Sequence, residues 1–465
     1  MPDLRVLVGV SHAAGGRIDG TYASYALAVR DELFDALVAE TASLTEEFTN
    51  AGKSLYLVGG IVRDTLLGRG GAELDIDFTT NAEPDEIESI VRRSSPTALW
   101  TQGKRFGTIG ATFVGPNGPR AVEITTHRAE QYHDGSRKPE VRFSTDITLD
   151  LSRRDFTVNA MAFDLHGLRL LDPFGGEADL RARVLRTPLS PEISFRDDPL
   201  RMLRAARFIA ALGLIADPLV TDAVSRHRER MAIISAERIR GELTKLLTLE
   251  DPSDGLRFLS NTGLVSTFLP ELALGDLHRR TARVLAMEPT WERRFTALLF
   301  GAFASEAAAR SRLRALKCSV DEETLVVKIR RLGSIDLPDA VEHDSAARRL
   351  VYRAGSELDL FLSLQRADAV ARMAAGDHDA DAVRSVVDAL RFKLKTLAKL
   401  GELDDLGPPL NGEEVMDLLG LLPGREVGEA LDMLRDLRLD EGQLPRPDVE
   451  RRLMEWFDRH LSERG

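Results

Sequence analysis

Residues 56–80 read YLVGGIVRDTLLGRGGAELDIDFTT, and the reading of this stretch decides the fold. Residues 55–58 are an apolar run of strand length, cut off by Gly59-Gly60. IVRDTLLG follows with a helical pattern that Gly68 closes. LDIDFTT then alternates and predicts a second strand. Residues two apart on a strand share a face, so Asp75 and Asp77 point one way while Leu74, Ile76 and Phe78 point to a core.

Outward from this stretch, GTIGATFVG and RAVEITTHR predict two further strands, separated by the turn residues GPNGP. The polar segment HRAEQYHDGSRKPEVRF reads as a long mobile loop. From about residue 151 onward helical patterns dominate. Upstream, YALAVRDELFDALVAETASL carries a helical pattern. The layout is a small α/β head followed by a long helical body, with no internal repeat and no low-complexity tract.

The chain has 465 residues, with 43% hydrophobic and 29% charged residues, the balance of a globular protein with ample core. No run of eighteen apolar residues predicts a membrane span, and no membrane partner is expected. The opening MPDLRVLVGVSHAAGG is too short an apolar run and too weakly basic to be expected to act as a signal peptide. The single cysteine, Cys318, excludes an internal disulfide and fits a reducing, cytoplasmic setting. A formal net charge of −12 counts mildly against nucleic acid as a partner, although local patches matter more than totals. Composition leaves the oligomeric state open.

Two carboxylates on one strand face repel each other unless something positive lies between them. A hard cation such as Mg²⁺, sharing its shell with substrate phosphates, is the natural partner of Asp75 and Asp77. Glu123, flanked by Val122 and Ile124 on a neighbouring strand, adds a third carboxylate. Such a site activates a hydroxyl nucleophile and steadies a leaving pyrophosphate. Gly59 and Gly60 let backbone approach a ligand closely at a helix start, where anions are attracted. Arg63, one turn into that helix, adds a charge-assisted contact to phosphate. Each piece alone is commonly structural: D-x-D is usually a solvated strand face, and Gly-Gly a simple turn. Their order and spacing together describe nucleotidyl transfer.

GGIVRD followed by LDID closely resembles the first motif of class II tRNA nucleotidyltransferases, the CCA-adding enzymes and their bacterial poly(A) polymerase relatives. RRDFTVNAMAFD at 153–164 resembles the second motif, which implies that Arg154 contacts the nucleotide and senses the ribose. DDPLRMLRAARF at 197–208 resembles the nucleobase-reading motif, with Asp197 one methylene shorter than the family's usual glutamate. Cytosine and adenine both present an exocyclic amine beside a ring nitrogen. Asp198 can accept from the amine while Arg201 donates to the nitrogen. Asp198 before Pro199 is equally a helix N-cap signal. Three residues turn a helix by about 300°, which keeps Asp198 and Arg201 near one face, whereas Arg207 points away from Asp198. Arg204 is assigned to the sugar-triphosphate, and the resemblance places Arg207 near the triphosphate. SAERIRGELTKLL at 235–247 resembles a supporting helix of the family, with Ser235 as its N-cap.

The resemblance implies an α+β fold: a small nucleotidyltransferase-type α/β head with a mixed sheet, then an all-helical neck, body and tail. The expected division is 1–50 N-terminal helical extension, 51–180 head, 181–250 neck, 251–345 body and 346–465 tail. The body resembles a degenerate HD hydrolase region. Phe300-Gly301 stands where the histidine-aspartate pair would be, and His343-Asp344 lacks an upstream histidine cluster. The implied function is template-independent addition of CMP and AMP to tRNA 3′ ends from CTP and ATP, with Mg²⁺. The alternatives are a bacterial poly(A) polymerase, an enzyme adding only CC or A, or a catalytically inactive RNA-binding protein. A metal-dependent glycosyltransferase would leave RRDFT and DDPLR unexplained.

Overall fold

The computed structural model describes residues 20–69, 76–115, 118–131, 140–272 and 277–464. The chain divides into two units. The first runs up to Arg201 and resumes over Leu212–His227; the second comprises Met202–Ala211 and Arg228 onward.

The first unit opens with the strands β1 Leu55–Val58, β2 Ile76–Thr80, β3 Ala98–Trp100, β4 Thr108–Gly115, β5 Gly118–Thr126, β6 Arg128–Gln131, β7 Glu140–Phe143, β8 Ala162–Asp164 and β9 Arg169–Leu171. Seven of them form one sheet in the order β3-β4-β5-β2-β1-β8-β9. Only β2 and β5 run parallel, so the sheet is mixed. Its core face carries Leu57, Ile76, Phe78, Ile109, Val122 and Ile124. Three helices pack there: α1 Gly20–Asn50, α2 Gly60–Leu66 and α3 Pro84–Arg93. Phe34, Leu37, Leu44 and Phe48 place α1 in the same apolar cluster as the sheet. α3 forms because Pro84 starts it, Glu83 and Glu86 make a capping box, and Ile87, Ile90 and Val91 give one apolar face.

Five more helices belong wholly or partly to this unit: α4 Ile147–Ser152, α5 Gly176–Ala182, α6 Pro191–Asp197, α7 Leu200–Leu212 and α8 Pro218–His227. Two short parallel strands, β10 Val184–Leu185 and β11 Ile215–Ala216, join α5 to the approach of α8. α7 gives its ends to the first unit and Met202–Ala211 to the second.

Two sequence expectations are corrected. The segment read as a long mobile loop contains a hairpin, with β6 and β7 paired from Arg128↔Phe143 to Gln131↔Glu140; residues 132–139 lie outside the described residues. Its polar residues gave no apolar alternation, yet backbone hydrogen bonding alone can pair such strands. The stretch after residue 151 returns to the sheet as β8 and β9 before helices take over. Three-residue strands are too short to show a period of two.

The second unit is helical among its described residues, and it begins after α7 with α9 Ala236–Leu247. Many of its arginines satisfy carbonyls or carboxylates within it. Buried Arg294 donates to the carbonyls of Leu247 and Met287, and Arg348 to those of Leu439 and Asp440. Arg310 pairs with Glu323, Arg312 with Glu271 and Arg331 with Glu306, while Arg330 donates to the Phe303 and Ala304 carbonyls. His343 lies 2.9 Å from Asp339, and Asp344 forms a 2.9 Å ion pair with Lys393.

Candidate active site

The parallel register of β2 and β5 sets Asp77 directly beside Glu123. Both side chains are exposed, while their neighbours Ile76, Phe78, Val122 and Ile124 are buried on the other face. Asp75 lies outside the described residues. Two exposed carboxylates side by side on one face of the sheet suit a hard divalent cation. No group of three or more candidate ligands occurs among the described residues, which leave out Asp75.

Farther along the same strands lies a polar row. Thr79 donates to the Thr125 carbonyl at 3.1 Å, and the Thr108 and Thr125 hydroxyls are 2.9 Å apart. The Thr79 hydroxyl also lies 2.8 Å from Nδ1 of His127, which is 1% exposed. Burial pushes the His127 imidazole down to about 4, with nearby Asp150 opposing and Arg154 reinforcing that shift.

The glycine turn and the RRD segment meet at Arg154. Gly59 has φ 76° and ψ −132°, a conformation side chains disfavour. A Cβ there would lie 3.0 Å from Nη1 of Arg154, so the guanidinium rests against the turn. Its Nη2 donates to Asp150 at 3.3 Å, and its Nε is buried with no hydrogen-bond partner among the described residues. Arg153 binds the same carboxylate at 2.7 Å. Asp150 is fully buried. Burial alone would raise its carboxyl pKa, but Arg154 and Arg153 outweigh that and hold it below the usual range.

Gly60 opens α2, and Arg63 projects from its first turn. The Arg63 guanidinium makes a bidentate pair with Asp64, at 2.9 and 2.7 Å, and donates to Asn159 at 2.6 Å. Asn159 in turn donates to Asp155 at 3.0 Å, which links the first motif to the second. Gly176 supports this loop from beneath, since a Cβ there would meet the Thr157 carbonyl oxygen at 2.2 Å.

Asp198 ends α6 and precedes α7. Its Oδ1 accepts from the Leu200 N–H at 3.1 Å, so the capping reading holds and takes up one of its acceptor positions. Arg201 donates to Ser194 Oγ at 2.9 Å and to the Arg153 carbonyl. Arg201 is thereby tied to the RRD segment. Within the second unit, Arg204 at 3.3 Å and Arg207 at 2.7 Å share the buried carboxylate of Glu242 on α9. Both also lie over the Phe208 ring, at 5.4 and 4.3 Å.

Sequence comparisons match residues 55–186 to the family described as Poly A polymerase head domain, and residues 216–274 to Probable RNA and SrmB- binding site of polymerase A. The CCA-adding enzyme of Geobacillus thermodenitrificans (strain NG80-2) is 33% identical over 405 residues, 85% of this chain and 91% of the relative. The chain belongs to the CCA-adding enzyme family. A Bacillus stearothermophilus CCA-adding enzyme, solved in complex with CTP, is 26% identical with a TM-score of 0.63, covering 91% of this chain and 98% of that one. The Thermotoga maritima CCA-adding enzyme complexed with tRNA shares the fold at 20% identity and a TM-score of 0.60, covering 95% of this chain and 97% of that one. Enzymes of this family are generally metal-dependent.

For this CCA-family chain, sequence reasoning missed the residues that hold the candidate arginines. Asp150 was signalled by its spacing, three and four residues before Arg153 and Arg154 across α4. Glu242, thirty-five residues from Arg207, left no local sign. Neither did Asn159, 96 residues from Arg63, nor Ser194, which meets Arg201 across the break between α6 and α7.

Proposed function

We propose that this chain adds CMP and AMP to tRNA 3′ ends from CTP and ATP, releasing pyrophosphate, in the addition and repair of CCA. The reading is carried by the exposed Asp77–Glu123 pair, in register beside the Gly59 turn, in a chain whose near-full-length relatives are CCA-adding enzymes. A poly(A) polymerase reading is less favoured, because those relatives match over most of the chain under the CCA-adding name. The single cysteine fits cytoplasmic residence.

Asp75 and Asp77, with Glu123 alongside, would hold Mg²⁺. Bound there, Mg²⁺ would supply the positive charge that favours ionisation of the 3′-hydroxyl and offsets charge on the departing pyrophosphate. The protein's own contribution is placement. Gly59 and Gly60 admit the triphosphate close to backbone, with Arg63 fixed beside it by Asp64 and Asn159. Arg154, resting on the turn with an unmet Nε donor, engages the ribose. Arg204 and Arg207 serve the sugar-triphosphate.

Asp198 and Arg201 read the base. A carboxylate has about four lone-pair positions, so capping α7 is compatible with accepting from an exocyclic amine. Arg201, held by Ser194 and the Arg153 carbonyl, meets the ring nitrogen without first losing side-chain freedom. Uracil and guanine put a carbonyl oxygen where the amine should be, which faces acceptor with acceptor. CTP and ATP are thus chosen without a nucleic-acid template.

The test uses tRNAs ending before, within and after CCA, each given one triphosphate at a time, with products resolved to single nucleotides. Ordered addition of two CMP and one AMP is expected. Long oligo(A) products or no transfer would overturn the reading.

A further inference from the structure

The row of residues holding Asp77 and Glu123 does not end at those carboxylates. Glu123 pairs with Gly110 on β4, and Gly110 pairs with Trp100 on β3. Paired residues of neighbouring strands share a face, so Asp77, Glu123, Gly110 and Trp100 form one line across the open side of the sheet. Gly110 is the reason the tryptophan lies where it does. A Cβ at that position would fall 1.9 Å from Cε2 of Trp100, so the indole covers the bare backbone of β4. Trp100 is half-buried, and it has no ring-stacking partner among the described residues. Leu99, its neighbour on β3, turns to the core instead.

The direction of the reaction tells what belongs there. Displacement at the α-phosphate is in line, with the attacking hydroxyl opposite the departing pyrophosphate. The Gly59 turn and Arg154 lie at the end of β1, on one side of β2. Trp100 lies on the other side, beyond β5 and β4. At about 4.8 Å per strand, its ring over β4 is roughly 10 Å from the strand of Asp77. A triphosphate held on the β1 side leaves the β5–β4–β3 side for the RNA that carries the hydroxyl.

We propose that Trp100 is a stacking platform for a nucleobase near the 3′ end of the acceptor RNA, seated in the space that Gly110 leaves open. Resting on the transfer reading above, it makes Trp100 a positioning residue that acts on the primer and not on the incoming nucleotide. Stacking on an aromatic face tolerates every base, which suits an acceptor end whose last nucleotide changes with each addition.

Two substitutions separate stacking from mere cover of Gly110. Trp100→Leu keeps apolar bulk over the glycine and removes the π-face, whereas Trp100→Phe keeps a smaller ring. In steady-state assays, Trp100→Leu should raise KM for tRNA by roughly tenfold, the order expected for one stacked base, with kcat at saturating tRNA and KM for CTP near wild type. Trp100→Phe should recover most of the loss, and both should melt close to wild type. Separately, tRNA without nucleotide should quench wild-type tryptophan fluorescence, and Trp100→Phe should lose that quench. An unchanged tRNA KM in Trp100→Leu, or an unchanged quench in Trp100→Phe, overturns the platform. So does a parallel loss of melting temperature and of every kinetic constant in both variants. Failure of wild type to transfer CMP or AMP counts against the transfer reading alone, because the quench is read without turnover.

Discussion

Asp77 is exposed on a strand whose flanking residues are buried, so its side chain can be changed without touching the core. Asp77→Ala should abolish nucleotide addition while leaving the melting temperature unchanged, since a methyl supplies no oxygen donor. Normal transfer by this variant at matched Mg²⁺ would remove the metal assignment. Asp198 poses a finer question, because the same carboxylate caps α7 and is assigned to the base. Asparagine caps about as well as aspartate, so Asp198→Asn should melt like wild type. It should also weaken use of CTP and ATP and relax rejection of UTP and GTP, by about tenfold or more for a bond to a charged group. Incorporation of all four nucleotides measures this; unchanged selectivity would leave Asp198 as a cap alone.

The stretch from β6 through α4 to the RRD segment behaves as one element organised by a buried charge. Asp150 is closed off from solvent and holds Arg153, Arg154 and the Arg128 backbone N–H. Asp150→Asn leaves two arginines short of a countercharge and should cost about 3 kcal/mol, with loss of nucleotide affinity through Arg154. Urea unfolding and CTP binding would show both effects, and a fully stable variant would contradict the network. His127, packed beside it, gives the element a pH signature. Its folded pKa of about 4 lies below the unfolded 6.5, so the unfolded chain takes up the proton first as pH falls. The stability of the folded state is therefore full above pH 6.5 and declines between 6.5 and about 4, by about 3 kcal/mol in all. Asp150, with its pKa held low, contributes stability that is lost only in more acid solution, below the usual carboxylate range. Melting curves across pH 4–6.5 for wild type and His127→Gln should differ in slope; identical slopes would rule out His127 as the source.

At the scale of the molecule, the helical unit should carry no phosphohydrolase activity. Asp344 is engaged by Lys393 and His343 by Asp339, so neither is poised on a shared metal. Metal-dependent hydrolysis of cyclic nucleotides, abolished by His343→Ala, would overturn this expectation. The order of the motifs, the β1–α2–β2 start, the exposed face of Asp77 and the cap at Asp198 were all legible along the chain. They depend on periods of 2 and 3.6 residues and on glycine and proline stops, which act between neighbours in sequence. The hairpin of β6 and β7 and the return of β8 beside β1 were not legible, because polar or three-residue strands carry no periodic signal and are stabilised by pairing with distant backbone. The same limit hid the groups that hold the arginines. Arg201 reaches back to Arg153, Arg63 to Asn159, and Arg207 to Glu242, across 48, 96 and 35 residues. Local spacing names the charges proposed to meet a nucleotide. Folding alone selects the carboxylates and carbonyls that hold them in place, because a countercharge acts through a few ångströms of space, whatever the number of residues between.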